Sequence, residues 1–155
     1  MLNKRIIYTF LLVIWMIIIF IFSNQSGTNS LKVSDNLTRN TINTVNKITN
    51  TEMKKKDKEK LVLNSRFIVR KIAHFTLYFI LGILVYLTLS SYNIKKNILI
   101  FSILFVFIYA ISDEVHQLLL QSRTFRFLDI FIDTIAGSIS SIFINKMKGK
   151  SLTNN

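Results

Sequence analysis

Side chains that could do chemistry lie beside four long apolar runs of the sequence. At one of them, Arg70 and Lys71 precede His74 by four and three residues, so a helix would place all three on one face. Tyr78 would continue that face by one turn. A cationic face that includes an imidazole suits a phosphate or carboxylate ligand, because guanidinium and ammonium groups form charge-assisted hydrogen bonds with such anions.

A second group, Asp113-Glu114-Val115-His116-Gln117, ends another apolar run. In a helix Asp113, His116 and Gln117 share a face, with Glu114 beside them. His116 with Glu114 or Asp113 is therefore the candidate catalytic acid and base. No nucleophile elbow or phosphate-binding glycine loop accompanies these residues, so the sequence favours a binding protein and leaves catalysis open.

The remaining candidates complete a set that stands at the ends of the apolar runs. Asp129 and Asp133 are four residues apart, and Gly137 extends their face, where a small residue allows another helix to approach closely. The predicted ligand-binding residues are Ser23, Gln25, Arg70, Lys71, His74, Tyr78, Asp113, Glu114, His116, Gln117, Arg123, Asp129 and Asp133.

The sequence predicts no metal site and no cofactor. Asp113, His116 and either His74 or Glu114 are possible ligand types, but ligand type alone is a weak signal. No His-x-x-x-His pair and no cysteine accompanies them, and the neighbouring arginine and lysine residues oppose a bound cation. The absence of cysteine also excludes a disulfide scaffold and thiol redox chemistry.

The four apolar runs predict an all-α integral membrane protein that forms a single domain over residues 1–155. The runs are 6–22, 72–89, 98–120 and 127–144, and about 20 apolar residues suffice for a helix to cross a bilayer. The first run is interpreted as a retained helix, because no small-x-small cleavage site of a signal peptide follows it. Residues 23–71 are predicted to form a long hydrophilic loop. Part of that loop is expected to be an amphipathic helix on the membrane surface, because apolar or small residues recur at helical spacing at Leu37, Thr41, Val45 and Ile48.

Four spans place the loop 23–71 and the loop between the third and fourth spans on the same side of the membrane. All candidate site residues should therefore meet at that side. Basic residues in the short flanks of the spans predict that the N and C termini are cytoplasmic. The larger number of Lys and Arg in the long loop favours the opposite orientation, but short flanks have more weight. The flank residues are Lys4, Arg5, Lys95, Lys96, Lys146, Lys148 and Lys150. The net charge of +12 favours membrane lipids as partners and not nucleic acid, because the basic residues flank spans and form no patch interleaved with aromatic residues.

The polar motifs resemble those of the VanZ-like family, small bacterial membrane proteins associated with resistance to the glycopeptide teicoplanin. The resemblance covers roughly residues 10–142 and rests on Phe22-Ser23-x-Gln25, Arg70-Lys71-x-Ala73-His74-Phe75 with Tyr78 and Leu81-Gly82, Asp113-Glu114-x-His116-Gln117, and Arg123 followed by Asp129, Asp133 and Ala136-Gly137. Two positions depart from the family pattern. Leu77 replaces an acidic residue, and Leu120-Gln121-Ser122 stands where a Pro-Gly turn is usual before Arg123.

The resemblance implies a multi-pass protein of the bacterial cell membrane that contributes to antibiotic tolerance. We expect it to bind or alter an amphiphilic ligand, such as a lipid-linked precursor or a lipoglycopeptide, in a cavity bordered by the polar residues. Two alternatives stay open: an enzyme acting on a lipid headgroup with His116 and Glu114 or Asp113 as acid and base, and a non-catalytic adaptor whose polar residues form a structural latch. The oligomeric state is not predicted.

Overall fold

The computed structural model describes residues 2–24, 27–50, 53–94, 96–119 and 125–153, and most of these residues are helical. Within these ranges there are no strands, and the five α-helices are α1 (Leu2–Ser23), α2 (Gly27–Thr49), α3 (Lys55–Ser91), α4 (Ile98–Leu118) and α5 (Phe127–Thr153). The predicted all-α class is confirmed for these residues.

Four of the helices are long and apolar enough to cross a membrane. The apolar stretches are Asn3–Ser23, Ile68–Ser91, Ile98–Leu118 and Phe127–Lys148. They contain three of the four predicted spans entirely, and the third predicted span, 98–120, begins at the same residue as α4. Large apolar side chains such as Ile6, Phe10 and Ile17 point outwards, as expected of helices surrounded by lipid.

The predicted long loop over 23–71 is not confirmed, because α2 begins at Gly27 and α3 begins at Lys55. A helix forms here despite its many Thr and Asn residues, since Ser34, Thr38 and Ile42 recur every four residues and make a buried stripe. The predicted amphipathic helix is thus present. However, Leu37, Thr41, Val45 and Ile48 lie on its exposed side, and their contact with a membrane stays a prediction.

The chain forms two compact units. The first consists of Met1–Asn24 and His74–Asn155, and the second consists of Gln25–Ala73. The predicted single domain stays a prediction, because a division into compact units does not test whether either unit folds alone.

In the second unit, α2 is joined to the first part of α3 by an ion pair. Arg66 donates two hydrogen bonds of 2.6 Å to the two carboxylate oxygens of Asp35. Ile42 of α2 and Val62 of α3 are buried. The Arg66 guanidinium holds the pKa of the Asp35 carboxyl below its ordinary value of 3.8.

In the first unit, α3 and α5 approach each other closely at two glycines. A Cβ atom on Gly82 would lie 2.3 Å from the carbonyl oxygen of Gly137, and a Cβ on Gly137 would lie 2.5 Å from Val106 Cγ1. The Ser141 hydroxyl donates a 3.2 Å hydrogen bond to the Gly82 carbonyl oxygen across this contact. The prediction that Gly137 permits close helix approach is confirmed.

Two aromatic side chains of the first unit hydrogen-bond to main-chain oxygens of other helices. Trp15 Nε1 of α1 donates to the Leu77 carbonyl of α3 at 2.9 Å. The Tyr109 hydroxyl of α4 donates to the Met16 carbonyl of α1 at 2.7 Å. These bonds fix how far each helix is displaced along its neighbour, and thereby which polar residues meet at the helix ends.

Candidate functional site

Polar side chains from four helix segments of the first unit converge, as the four-span arrangement predicts. Ser23, at the end of α1, lies 2.7 Å from Asp113, near the end of α4. His74 Nδ1 of α3 lies 3.6 Å from Asp133 Oδ2, in the first half of α5. The group formed around these contacts is called the polar cluster below; its members are Ser23, His74, Tyr78, Asp113, Glu114, His116, Gln117, Asp129 and Asp133.

The inward stripe of α4 explains how this helix delivers its polar residues. The buried positions Ser102, Val106 and Ala110 continue at helical spacing into Asp113 and Gln117. The residues of the stripe are small in the first and middle turns of the helix, and they carry carboxylate or amide groups only in the last two turns. The start of α5 repeats the pattern in reverse, with acidic residues first and small residues later.

The best-defined contacts of the polar cluster join Ser23, Asp113 and Gln117. The Ser23 hydroxyl donates to Asp113 Oδ2, and Gln117 Nε2 lies 3.0 Å from both Asp113 Oδ2 and Ser23 Oγ. All three residues are at most 6% exposed. Two donors on one carboxylate oxygen hold the Asp113 side chain in a fixed orientation, with this oxygen as the acceptor.

Glu114 ties the end of α4 to the start of α5. Its Oε1 accepts a 2.7 Å hydrogen bond from the backbone N–H of Arg126. Arg126 in turn provides the carbonyl that accepts from the N–H of Asp129, in the first turn of α5. Sequence reasoning missed Arg126, because a main-chain donor can come from any residue type other than proline.

His116 lies at the edge of the polar cluster. Its ring packs at a tilt against Phe20 of α1, with 4.4 Å between the ring centroids. Its Nε2 is buried and has no hydrogen-bond partner among the described residues. No hydrogen bond from this atom to Glu114 or Asp113 is therefore present, and the acid–base pairing stays a prediction.

His74, Tyr78 and Asp133 each carry a buried polar atom that makes no hydrogen bond among the described residues. The atoms are His74 Nδ1, the Tyr78 hydroxyl oxygen and Asp133 Oδ1. Buried polar groups are nearly always paired in proteins, so three such atoms in one place point to a missing partner.

The polar cluster contains four buried carboxylates, those of Asp113, Glu114, Asp129 and Asp133, together with two histidines. Four other predicted site residues are not described as part of the first unit. Arg70 and Lys71 belong to the second unit, and Gln25 and Arg123 fall outside the described residues. The expected pairing of Arg70 or Arg123 with a carboxylate stays a prediction.

An apolar cavity of about 550 Å³ lies between α4 and α5. Its lining residues are Phe107, Ile111, Phe125, Phe127, Leu128, Ile130, Phe131 and Thr134. The sequence did not reveal it, because an apolar side chain that lines a cavity looks the same as one that faces lipid. The expected cavity bordered by the polar residues stays a prediction, since this one is apolar.

A family model described as VanZ/LLP1 matches residues 8–147, a range that contains every member of the polar cluster. No curated protein matches the chain significantly, and no solved structure does.

Proposed function

The chain belongs to the VanZ/LLP1 family, and from this membership we propose that it binds or alters an amphiphilic ligand at the bacterial cell envelope. The ligand is a lipid-linked precursor or a lipoglycopeptide, and binding contributes to tolerance of teicoplanin-like antibiotics. The protein is a multi-pass protein of the bacterial cell membrane with cytoplasmic N and C termini.

The observation that carries this proposal is that an apolar cavity and the polar cluster share the same end of α5. Leu128, Ile130 and Phe131 line the cavity, whereas Asp129 and Asp133 of the same two turns belong to the polar cluster. An amphiphile needs both kinds of surface. The volume of about 550 Å³ lies within the usual range for small-molecule sites, and such sites are mostly apolar with a few convergent polar groups.

The carboxylates of the polar cluster suit particular groups of a headgroup. Carboxylate oxygens accept hydrogen bonds, so ammonium, hydroxyl and amide N–H groups of a ligand can pair with them directly. Sugar and peptide headgroups supply all of these.

Two phenylalanines of α5 provide a matched test. Phe131 lines the cavity and Phe143 does not, and both are more than half exposed, so neither replacement should prevent folding. We expect Phe131→Ala to weaken teicoplanin binding to purified protein in lipid nanodiscs about tenfold, since the apolar contact of a phenyl ring contributes at least about 1.4 kcal/mol. Phe143→Ala should bind like the wild type. Equal affinity of the two variants would contradict the proposal.

The variant His116→Ala tests whether the polar cluster contacts the headgroup of the ligand. We expect cells with this variant to lose drug tolerance, while the yield of folded protein in detergent stays normal. An unchanged tolerance would remove His116 from the site. Ser112→Ala, on an exposed position of the same helix, is the control for handling and expression.

A structural latch is the second candidate, favoured by the interlocked hydrogen bonds of Ser23, Asp113 and Gln117. A latch predicts that folded yield and tolerance fall together in Ser23→Ala. The enzymatic alternative, with His116 as acid or base, predicts turnover of a radiolabelled envelope lipid by the purified protein. That turnover should be lost in His116→Ala.

A further inference from the structure

Three helices of the first unit bring one nitrogen and two carboxylate ligands together. His74 of α3, Asp113 of α4 and Asp133 of α5 each place one ligand atom within 4.8 Å of the other two. Both aspartates are buried, and His74 is half-buried. The sequence predicted no metal, because no two of these residues have the spacing of a metal motif along the chain.

The unpartnered atoms of the polar cluster coincide with this group. His74 Nδ1 and Asp133 Oδ1 are buried and accept or donate no hydrogen bond within the described residues. The Tyr78 hydroxyl is a separate observation of the same kind. Tyr78 lies one turn of α3 after His74, it is 0% exposed, and its hydroxyl has no hydrogen-bond partner in the described part of the chain.

The separation of two of the ligands fits a shared ion better than a hydrogen bond. His74 Nδ1 lies 3.6 Å from Asp133 Oδ2, beyond the usual limit of about 3.2 Å for an N–H···O hydrogen bond. Two ligands of one tetrahedral ion, each bound at about 2.1 Å, stand about 3.4 Å apart. A small inward movement of side chains would therefore satisfy the geometry of a metal ion.

The third ligand is already fixed in its orientation. The hydroxyl of Ser23 and the amide of Gln117 both donate to Asp113 Oδ2, and these two hydrogen bonds hold the carboxylate in place. Hydrogen bonds of this kind to ligating carboxylates are a regular feature of protein metal sites.

We propose that His74, Asp113 and Asp133 bind a divalent cation, with the Tyr78 hydroxyl beside it. Two carboxylates with a neutral imidazole balance a charge of +2, whereas the same carboxylates without it are a costly concentration of buried negative charge. One nitrogen and two oxygens form a ligand set of intermediate softness, which suits Zn²⁺ or Mn²⁺.

The bound ion would change what the polar cluster can accept. Three protein ligands leave at least one coordination position, which an oxygen of a phosphate or carboxylate headgroup could occupy. An anionic headgroup, which the carboxylates alone would repel, then becomes a possible ligand. The metal proposal does not rest on the proposed function, since ion binding by three side chains can be measured without drug or lipid.

Metal binding is tested on the full chain, purified in detergent with metal-free buffers. We expect isothermal titration to show one Zn²⁺ or Mn²⁺ bound per chain, with a thermal stabilisation that rises with ion concentration. Asp133→Asn, which preserves shape, should weaken binding by at least tenfold. Asp57→Asn, the same change at an exposed aspartate of α3, should bind like the wild type.

X-ray absorption at the zinc edge of the loaded wild-type protein provides a readout that does not depend on any variant. One imidazole among oxygen ligands would support the proposal, and two imidazoles would overturn it, because the chain has only His74 and His116. Absence of stoichiometric binding, or equal binding by Asp133→Asn and the wild type, would also overturn it. Neither result would affect the Phe131 and Phe143 comparison, so the two proposals fail separately.

Discussion

Replacing Gly82 with alanine should destabilise the first unit, although alanine is the better helix former. The added Cβ would lie 2.3 Å from the carbonyl oxygen of Gly137 and 2.3 Å from Ser140 Oγ. The serine side chain can rotate away, but the carbonyl oxygen belongs to the backbone of α5. Ordinary contact begins at 3.4 Å, so the two helices must separate by about 1 Å or deform.

The expected cost follows from three terms. Overpacking of a tight contact costs about 1–3 kcal/mol. Separation of the helices by about 1 Å also breaks the Ser141 hydrogen bond to the Gly82 carbonyl, already at 3.2 Å, which contributes about 0.6 kcal/mol between membrane helices. The higher helix propensity of alanine relative to glycine offsets at most about 1 kcal/mol of this cost. We therefore expect Gly82→Ala to lower the free energy of unfolding by about 1–2 kcal/mol.

Unfolding in mixed micelles of increasing SDS content, followed by circular dichroism, measures this difference. Val115→Ile is the matched control, because it adds one carbon atom to a side chain that is half exposed. The control should stay within about 0.5 kcal/mol of the wild type. A Gly82→Ala protein as stable as the control, or more stable, would show that α3 and α5 do not meet at this glycine.

The remaining predictions concern topology and pH. Reporter fusions at Lys96 and at the C-terminus should read cytoplasmic, whereas fusions at Asn50 and Gln121 should read external; opposite readings at Asn50 and Gln121 would refute the four-span arrangement. On acidification, the contact between α2 and α3 in the second unit should weaken. The pKa of Asp35 lies below 3.8 when it is paired with Arg66, so the stabilisation is complete above that value and is lost as the pH falls through the lower, folded-state pKa. Amide hydrogen exchange of α2 should therefore speed up, relative to its intrinsic pH dependence, at the acidic end of a series from about pH 5 to about pH 2, and the variant Asp35→Asn should lack this pH dependence.

The sequence was sufficient to predict which helix ends meet, because four crossings leave only one arrangement of their ends. The contacts of Ser23 with Asp113 and of His74 with Asp133 follow from that arrangement and from helical spacing. Gly137 was predictable for a similar reason, since a glycine on the polar face of a spanning helix has few uses other than close packing.

The rotation of each helix about its own axis was not predictable. In a soluble helix the apolar stripe marks the buried face, but in a membrane both the lipid-facing and the packed faces are apolar. The cavity lined by Phe107 and Phe131 was missed for that reason. The ligand set of His74, Asp113 and Asp133 was missed because its members come from three helices. In α2, the prediction chose the face that carries Leu37 and Val45, but these residues point outwards. The buried face runs through Thr38 and Ile42.

Several contacts between the helices of the first unit end on main-chain oxygens, and this affects how the protein tolerates substitution. Trp15, Tyr109 and Ser141 donate to the carbonyls of Leu77, Met16 and Gly82. Any amino acid at the accepting position presents the same carbonyl, so the donor and the acceptor residue do not constrain each other's identity. Leu77 and Met16 can therefore vary without breaking these bonds, and the contacts would leave no trace in paired sequence variation. A search for co-varying positions would register the side-chain pairs of the polar cluster and overlook the bonds that hold α1 in place.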